Sequence, residues 1–245
     1  MAGSSSRRVL FGRHAVREAL SSTRAEVHAV YAEGEPAAEI LDLARRRGVS
    51  VEMSPPGALD KLCQSDRHQG VAAVVGEYAY LDPEDLVTRA GAAGERALLL
   101  ALDGIQDPQN LGAMVRSASF FGAHGVLLPR DRAAHVTGAV VRASAGATER
   151  TAIALCTNLV RALQELKRRG LWIVGAAVEH GRPPSRIDLR DPVVICIGSE
   201  GKGLRPLVLR SCDHVATVPG SDGVAALNAS AAAAVLLYEA RRQRS

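Results

Sequence analysis

Three stretches of this chain gather residue types that can do chemistry. The first, Leu102-Asp-Gly-Ile-Gln-Asp-Pro-Gln-Asn-Leu-Gly-Ala-Met-Val-Arg116, reads as a strand end, a polar loop and a helix start. Asn110 stands where an N-cap is expected, and Gly112 lets a ligand approach the first turn. Arg116 falls within the helix, near an N-terminus whose dipole favours anions, which makes a site for a phosphate or a polarised oxygen. Phe120, one turn on, is expected to anchor it. Read alone, a surface arginine and an ordinary cap explain the same residues.

The second stretch, Ile197-Gly-Ser-Glu-Gly-Lys-Gly-Leu204, places three glycines within six positions, offering backbone N–H groups and unusual dihedrals to a ligand. It is not a Walker A loop, because Cys196 stands where that loop needs its first glycine and no Ser or Thr follows Lys202. A tight turn alone would account for the glycines, but not for Glu200 among them. The third, Val218-Pro-Gly-Ser-Asp-Gly-Val-Ala-Ala-Leu-Asn-Ala-Ser230, runs from a strand end into an alanine-rich helix. Asn228 lies there among small apolar neighbours, where an amide needs a partner; a helix N-cap is the alternative reading.

The elements that must position these stretches alternate along the chain. Buried strands are expected at 97–102, 125–128, 152–155, 171–176, 193–197 and 214–218. Helices are expected at 111–121, 133–144, 158–169, 206–211 and 227–241, with Thr157 as an N-cap and Gly170 as a stop. That rhythm predicts an α/β domain with a parallel sheet covered on both faces, whose ligands bind beyond the carboxyl ends of the strands. The alanine run of the last helix requires close packing. The first part reads as a small α/β unit, with an amphipathic segment at 12–20, strands at 27–31 and 71–75, and a helix at 36–47 closed by Gly48. The expected division is residues 1–80, a linker at 81–95 and a domain at 96–245.

Composition narrows the function. The chain of 245 residues is 47% apolar, enough for a real core. No stretch reaches the roughly 18 apolar residues of a membrane span, and no secretory leader precedes the basic start, so a cytoplasmic protein is expected. Cys63, Cys156, Cys196 and Cys212 are scattered outside metal or dithiol spacing and are expected as reduced, mostly buried thiols, with no metal site. Residues 96–245 carry 19 Lys and Arg against 12 Asp and Glu, while residues 1–95 carry 11 against 14, so the basic surface lies mainly in the C-terminal part. A separate cluster stands at Arg7, Arg8, Arg13 and Arg17. With only 3% aromatic residues, phosphate and shape recognition of RNA suits this chain better than base stacking. No G-x-G-x-x-G, H-E-x-x-H, G-x-S-x-G or C-x-x-C is present, and His124, His135 and His180 stand isolated, as packed or surface residues do.

In order and spacing, the three stretches together resemble the signature motifs of the SpoU/TrmH family of RNA 2'-O-methyltransferases. Arg142-Ala-Ser-Ala-Gly-Ala147 also looks like a family feature, and Phe11-Gly-Arg-His-Ala-Val-Arg-Glu-Ala-Leu20 is similar to the start of the branch with a small substrate-binding domain, which includes the RlmB-type enzymes that modify a guanosine of large-subunit (23S) ribosomal RNA. The resemblance implies a SPOUT α/β domain with a deep trefoil knot, a small ribosomal-protein-like N-terminal domain that binds RNA, and a homodimer that binds S-adenosylmethionine. It implies catalytic roles for Asn110, Arg116, Glu200 and Asn228, and cofactor contacts from Gly198, Glu200, Gly201, Val218, Leu227, Asn228 and Ala229. Arg7, Arg8, Arg13 and Arg116 are expected to meet RNA. One position departs: the family's Ser-Leu-Asn is Ala226-Leu227-Asn228 here, leaving Ser230 or a water to supply the hydroxyl.

Family proposals give Arg116 the hydroxyl proton. A guanidinium is essentially always protonated, so the alternative is a cation that stabilises developing alkoxide charge and grips phosphate. Other readings are a transfer-RNA or antibiotic-resistance ribosomal-RNA enzyme of the same family, and a noncatalytic RNA-binding or ribosome-assembly protein.

Overall fold

The computed structural model describes residues 7–35, 38–221 and 226–245. In chain order the elements are β1 (Arg8–Phe11), α1 (Arg13–Ser21), β2 (Val27–Ala32), α2 (Ala38–Arg47), β3 (Val51–Met53), α3 (Ala58–Cys63), β4 (Val71–Val75) and α4 (Pro83–Ala92). There follow β5 (Leu98–Asp103), α5 (Pro108–Phe120), β6 (Gly125–Pro129), α6 (Gly138–Ala143), β7 (Ile153–Cys156), α7 (Leu159–Arg168), β8 (Trp172–Ala176), β9 (Val193–Gly198), α8 (Pro206–Ser211), β10 (His214–Ala216) and α9 (Ala229–Arg244). Short 3-10 turns lie at Ala147–Glu149 and Pro184–Arg186.

Two compact units divide the chain. The first joins residues 1–79 to 135–150, and the second joins 80–134 to 151–245. The first holds a four-stranded sheet in the order β1-β4-β2-β3. Within it the 135–150 segment is tied down by ion pairs: Arg150 clamps the buried Glu18 of α1, and Arg8 reaches the buried Glu149. Gly146 must be glycine, because a Cβ there would meet the Glu18 side chain at 2.7 Å.

The second unit holds the six-stranded parallel sheet, in the order β10-β8-β9-β5-β6-β7. Its strands alternate between two helical layers as a two-residue period requires. Leu99, Ala101, Leu127, Ala154, Ile173, Val194 and Cys196 pack under Leu86 of α4, Leu163 and Leu166 of α7 and Val208 of α8. On the opposite face α5 and α9 pack together, burying Leu111, Met114, Val115 and Ala118 of one and Ala233, Leu236, Leu237 and Ala240 of the other. The alanines at the start of α9 serve that close approach. From β5 the chain steps to β6 and β7 on one side, then crosses to lay β8, β9 and β10 on the other. The strand order therefore reverses between β5 and β9, and the crevice beyond their carboxyl ends is where such sheets take ligands.

Some local expectations change. Residues 133–137 are not helical: Ala134 N–H is engaged by the carbonyl of Ile105, and α6 begins only at Gly138. Asn158, not Thr157, caps α7, its side chain accepting from Arg161 N–H at 3.1 Å. Residues 81–95 contain α4, opened by Asp82-Pro83, whose Leu86 and Ala90 are buried in the second unit's core. The expected helix from 36 begins partly outside the described residues, and β1, β3 and α3 are too short to leave a periodic signal. Among the described residues no helix is long and apolar enough to cross a membrane.

Candidate functional site

The crevice between β5 and β9 collects three of the four polar residues singled out in the sequence. The first comes from the turn after β5. Asp107 is the N-cap of α5, its carboxylate accepting from the N–H groups of Gln109 and Asn110, each at 3.1 Å. Pro108 fills the first helical position, where no N–H is needed. Asn110 is thus not the cap expected from the sequence: it lies in the first turn, and its own side chain is left free to reach outward.

It reaches Glu200. The loop after β9 folds back on itself, Gly203 N–H donating to Ser199 C=O at 2.8 Å. A Cβ on Gly198 would lie 2.0 Å from the Gly203 carbonyl carbon, so only glycine permits this fold. Gly201, at φ 77°, takes the left-handed turn behind Glu200. The exposed Glu200 carboxylate accepts from Asn110 Nδ2 at 3.1 Å and from Asn228 Nδ2.

Asn228 closes the cluster and caps α9. Its Oδ1 accepts from Ser230 N–H at 2.8 Å and from the Ser230 hydroxyl at 2.6 Å. Its Nδ2 donates to Asn110 Oδ1 at 3.1 Å and to Glu200. The cap and the cluster, alternatives in the sequence, are both realised by opposite ends of one amide. Ser230 fixes which end points where, so its hydroxyl bears on Asn228.

Arg116 is not part of this arrangement. Six residues from Asn110, it is displaced about 240° round α5 and about 9 Å along it. It is exposed, and no partner meets it among the described residues. Phe120, on the same helical stripe, is 82% exposed and does not anchor it. Instead Phe120 stands edge-on to Phe121, which in turn meets Tyr238 of α9. Tyr238 and Val235 are also exposed, giving α5 and α9 an apolar outer surface.

Of the residues expected to hold a cofactor, Gly198 and Ala229 are buried, Val218 is half-buried, and Gly201, Leu227 and Asn228 are exposed. Leu227, next to Asn228 in the chain, leaves half its surface bare. In the first unit Arg7 and Arg13 are exposed. Arg8 turns inward instead, donating to Gly76 C=O at 3.0 Å, pairing with Glu149 and lying over the Tyr78 ring, so its charge serves the fold.

Two residues at the crevice escaped the sequence reading. Asp103, at the end of β5, and Arg205, after the Glu200 loop, are paired across 102 positions, a separation that leaves no local signal. Asp107 did leave one: an acidic residue before Pro marks a helix start. All four cysteines are free thiols; burial pushes Cys156 up to about 11, and Cys196 is raised by its hydrogen bond with Cys212 and by burial. A separate cleft of about 420 Å³, lined by Arg96, His124, Arg241 and Arg244, lies toward the amino end of β5, away from the cluster.

The arrangement matches known proteins. The model described as the SpoU rRNA Methylase family matches residues 97–238, and one described as RNA 2'-O ribose methyltransferase substrate binding matches 9–81. A protein of Bacillus subtilis named for the TrmH family of tRNA/rRNA methyltransferases, YacO, is 38% identical over 239 residues, which span 96% of each chain. An "uncharacterized tRNA/rRNA methyltransferase" of Mycolicibacterium vanbaalenii is 44% identical over 84% of this chain, which spans 66% of that relative's length. The crystal structure of the SpoU methyltransferase AviRb from Streptomyces viridochromogenes, in complex with the cofactor AdoMet, superposes with a TM-score of 0.82 at 26% identity, covering 97% of this chain and 90% of that one.

Proposed function

Because this chain belongs to the SpoU rRNA methylase family, we propose that it transfers a methyl group from S-adenosylmethionine to a ribose 2'-hydroxyl of RNA, its target a guanosine of 23S ribosomal RNA. The observation that carries this reading is the convergence of Asn110, Glu200 and Asn228 at the reversal point of the sheet. The match of residues 9–81 to a ribose-methyltransferase substrate-binding model supports the RNA and ribose parts.

The cofactor fits the residues present. Gly198 lets the loop after β9 fold back onto Gly203, Gly201 takes its left-handed turn, and the half-exposed Leu227 offers apolar surface to an adenine or methionine portion. When bound, the cofactor supplies an electrophilic methyl on sulfur. The chain must then align the ribose oxygen and lower the cost of its developing charge. Glu200, held by two amides, is the acceptor that orients a hydroxyl or cofactor group. Arg116 is the cation that stabilises the oxygen and holds the neighbouring phosphate.

We also infer a homodimer closing over the α5 and α9 surface around Phe120, Val235 and Tyr238. That closure carries Arg116, on the same stripe as Phe120, into the interface, which gives its unpaired guanidinium a place in a site built from two copies. Residues 1–80 present the RNA with Arg7 and Arg13 outward, residues 96–245 do the chemistry, and the reaction is cytoplasmic.

The names of both relatives leave transfer RNA as the second reading. Incubating the protein with methyl-labelled cofactor and either undermethylated 23S ribosomal RNA or bulk transfer RNA, then mapping the modified nucleotide, decides between them. Label at a ribose of 23S RNA is expected. Incorporation into transfer RNA alone moves the substrate, and tight binding of both RNA and cofactor without incorporation makes this an RNA-binding assembly protein.

A further inference from the structure

At the carboxyl end of β5 the side chain of Asp103 has no exposed surface. A carboxylate taken from water stays charged only where donors or a cation compensate it. Arg205 supplies both, its backbone N–H at 2.8 Å from Oδ2 and its Nε at 2.7 Å from Oδ1. A guanidinium is a rigid planar fork, so fixing Nε and the backbone on one carboxylate also fixes the direction of the two outer nitrogens.

Those outer nitrogens are not used inside the fold. The Arg205 side chain is 55% exposed, and among the described residues no acceptor meets Nη1 or Nη2. Leaving half of the fork in water keeps its desolvation cost low, and it also leaves those donors available to an outside acceptor. An arginine aimed by a buried carboxylate, with its outer edge open, is preorganised for an oxyanion. It stands two residues after Gly203, at the carboxyl edge of the sheet that carries Glu200.

We propose that Arg205 binds a phosphodiester of the substrate RNA beside the methylated nucleotide, with Asp103 as the positioning residue that aims it. This rests on the RNA-methyltransferase reading above and adds a contact outside the Asn110–Glu200–Asn228 cluster.

The test is Arg205→Gln, which keeps an amide donor for Asp103 but removes the charge. Filter binding of an unmodified 23S ribosomal RNA transcript across a potassium chloride series reads affinity and salt slope, and calorimetry reads S-adenosylmethionine binding. A single phosphate contact predicts about tenfold weaker RNA binding and a salt slope reduced by about one. The cofactor dissociation constant stays within about twofold, and the catalytic loss falls on KM for RNA. Arg205→Lys restores the slope but only part of the affinity, because a point charge replaces a fork. Asp103→Asn weakens RNA binding in the same direction. Unaltered RNA affinity and slope in Arg205→Gln overturn the proposal, as does a loss of cofactor binding and melting temperature with the slope intact, which would make Arg205 only a tie for the Glu200 loop. Absence of methyl transfer by the unmutated protein counts against the methyltransferase reading instead, since the binding measurement needs no turnover.

Discussion

Replacing Asn228 separates the two tasks that its amide performs. Asn228→Ala removes the Oδ1 that caps α9 and the Nδ2 that joins Asn110 and Glu200. Loss of an Asn cap costs about 1 kcal/mol. The cluster side adds little to stability, because Glu200 is exposed and Asn110 only half-buried, so water replaces the lost donors. For a chain of this size about 1 kcal/mol lowers Tm by roughly 2–4 °C. Asn228→Ser keeps an oxygen at the cap and removes the cluster donor, so its Tm stays within about 1 °C of the original while methyl transfer falls at least about tenfold. Asn228→Asp also keeps the cap but sets a second carboxylate against Glu200, and loses activity more completely. Circular dichroism melts and labelled-methyl incorporation, run on all three variants, read the two effects apart. Full activity in Asn228→Ser would falsify the catalytic role of the cluster, and an unshifted Tm in Asn228→Ala would remove the cap from the account of α9.

Other perturbations follow from the same geometry. Arg116→Ala is expected to retain cofactor binding by calorimetry yet abolish methylation; an undiminished rate takes Arg116 out of the chemistry. Gly198→Ala forces the loop after β9 away from its backbone contact with Gly203, costing about 1–3 kcal/mol in denaturant unfolding and the cofactor affinity with it; normal binding would mean the loop yields easily. Phe120→Glu places a charge on the exposed α5 surface and should leave a monomer by analytical ultracentrifugation, whereas a persisting dimer locates the interface elsewhere. Glu239, held by Arg242 and Gln243, has its carboxyl lowered from 4.5 to about 2, chiefly by hydrogen bonds from Arg242. A depressed folded value stabilises above the unfolded one, so this contribution is full above about pH 5 and is lost as pH falls from about 4.5 toward 2. Glu239→Gln should flatten unfolding stability across that window, and an identical acid profile would discount the pair.

Residue patterns alone determined much of this protein. The short, continuously apolar runs at 97–102, 193–197 and 125–128, alternating with helical segments, read as strands buried on both faces of a parallel sheet. The glycine spacing at 198–203 and the order of the three motifs were likewise written locally, since turn geometry and family signatures depend on neighbouring residues. Partnership was not. Whether Asn110 capped its own helix or reached across the crevice depended on Asp107 taking the cap first, a competition that spacing leaves open. Asn228 finds Asn110 across 118 positions and Arg205 finds Asp103 across 102. Those meetings exist because the strand order reverses between the parallel neighbours β5 and β9, which a linear pattern of apolar residues does not encode. Arg116 and Arg8 make the same point in opposite directions. Both are arginines in expected RNA-facing segments, yet helix phase leaves one unpaired at the surface, while Gly76 and Glu149 draw the other into the fold. Residue type set what each side chain could do, and the tertiary arrangement decided which of its possible partners lay within reach.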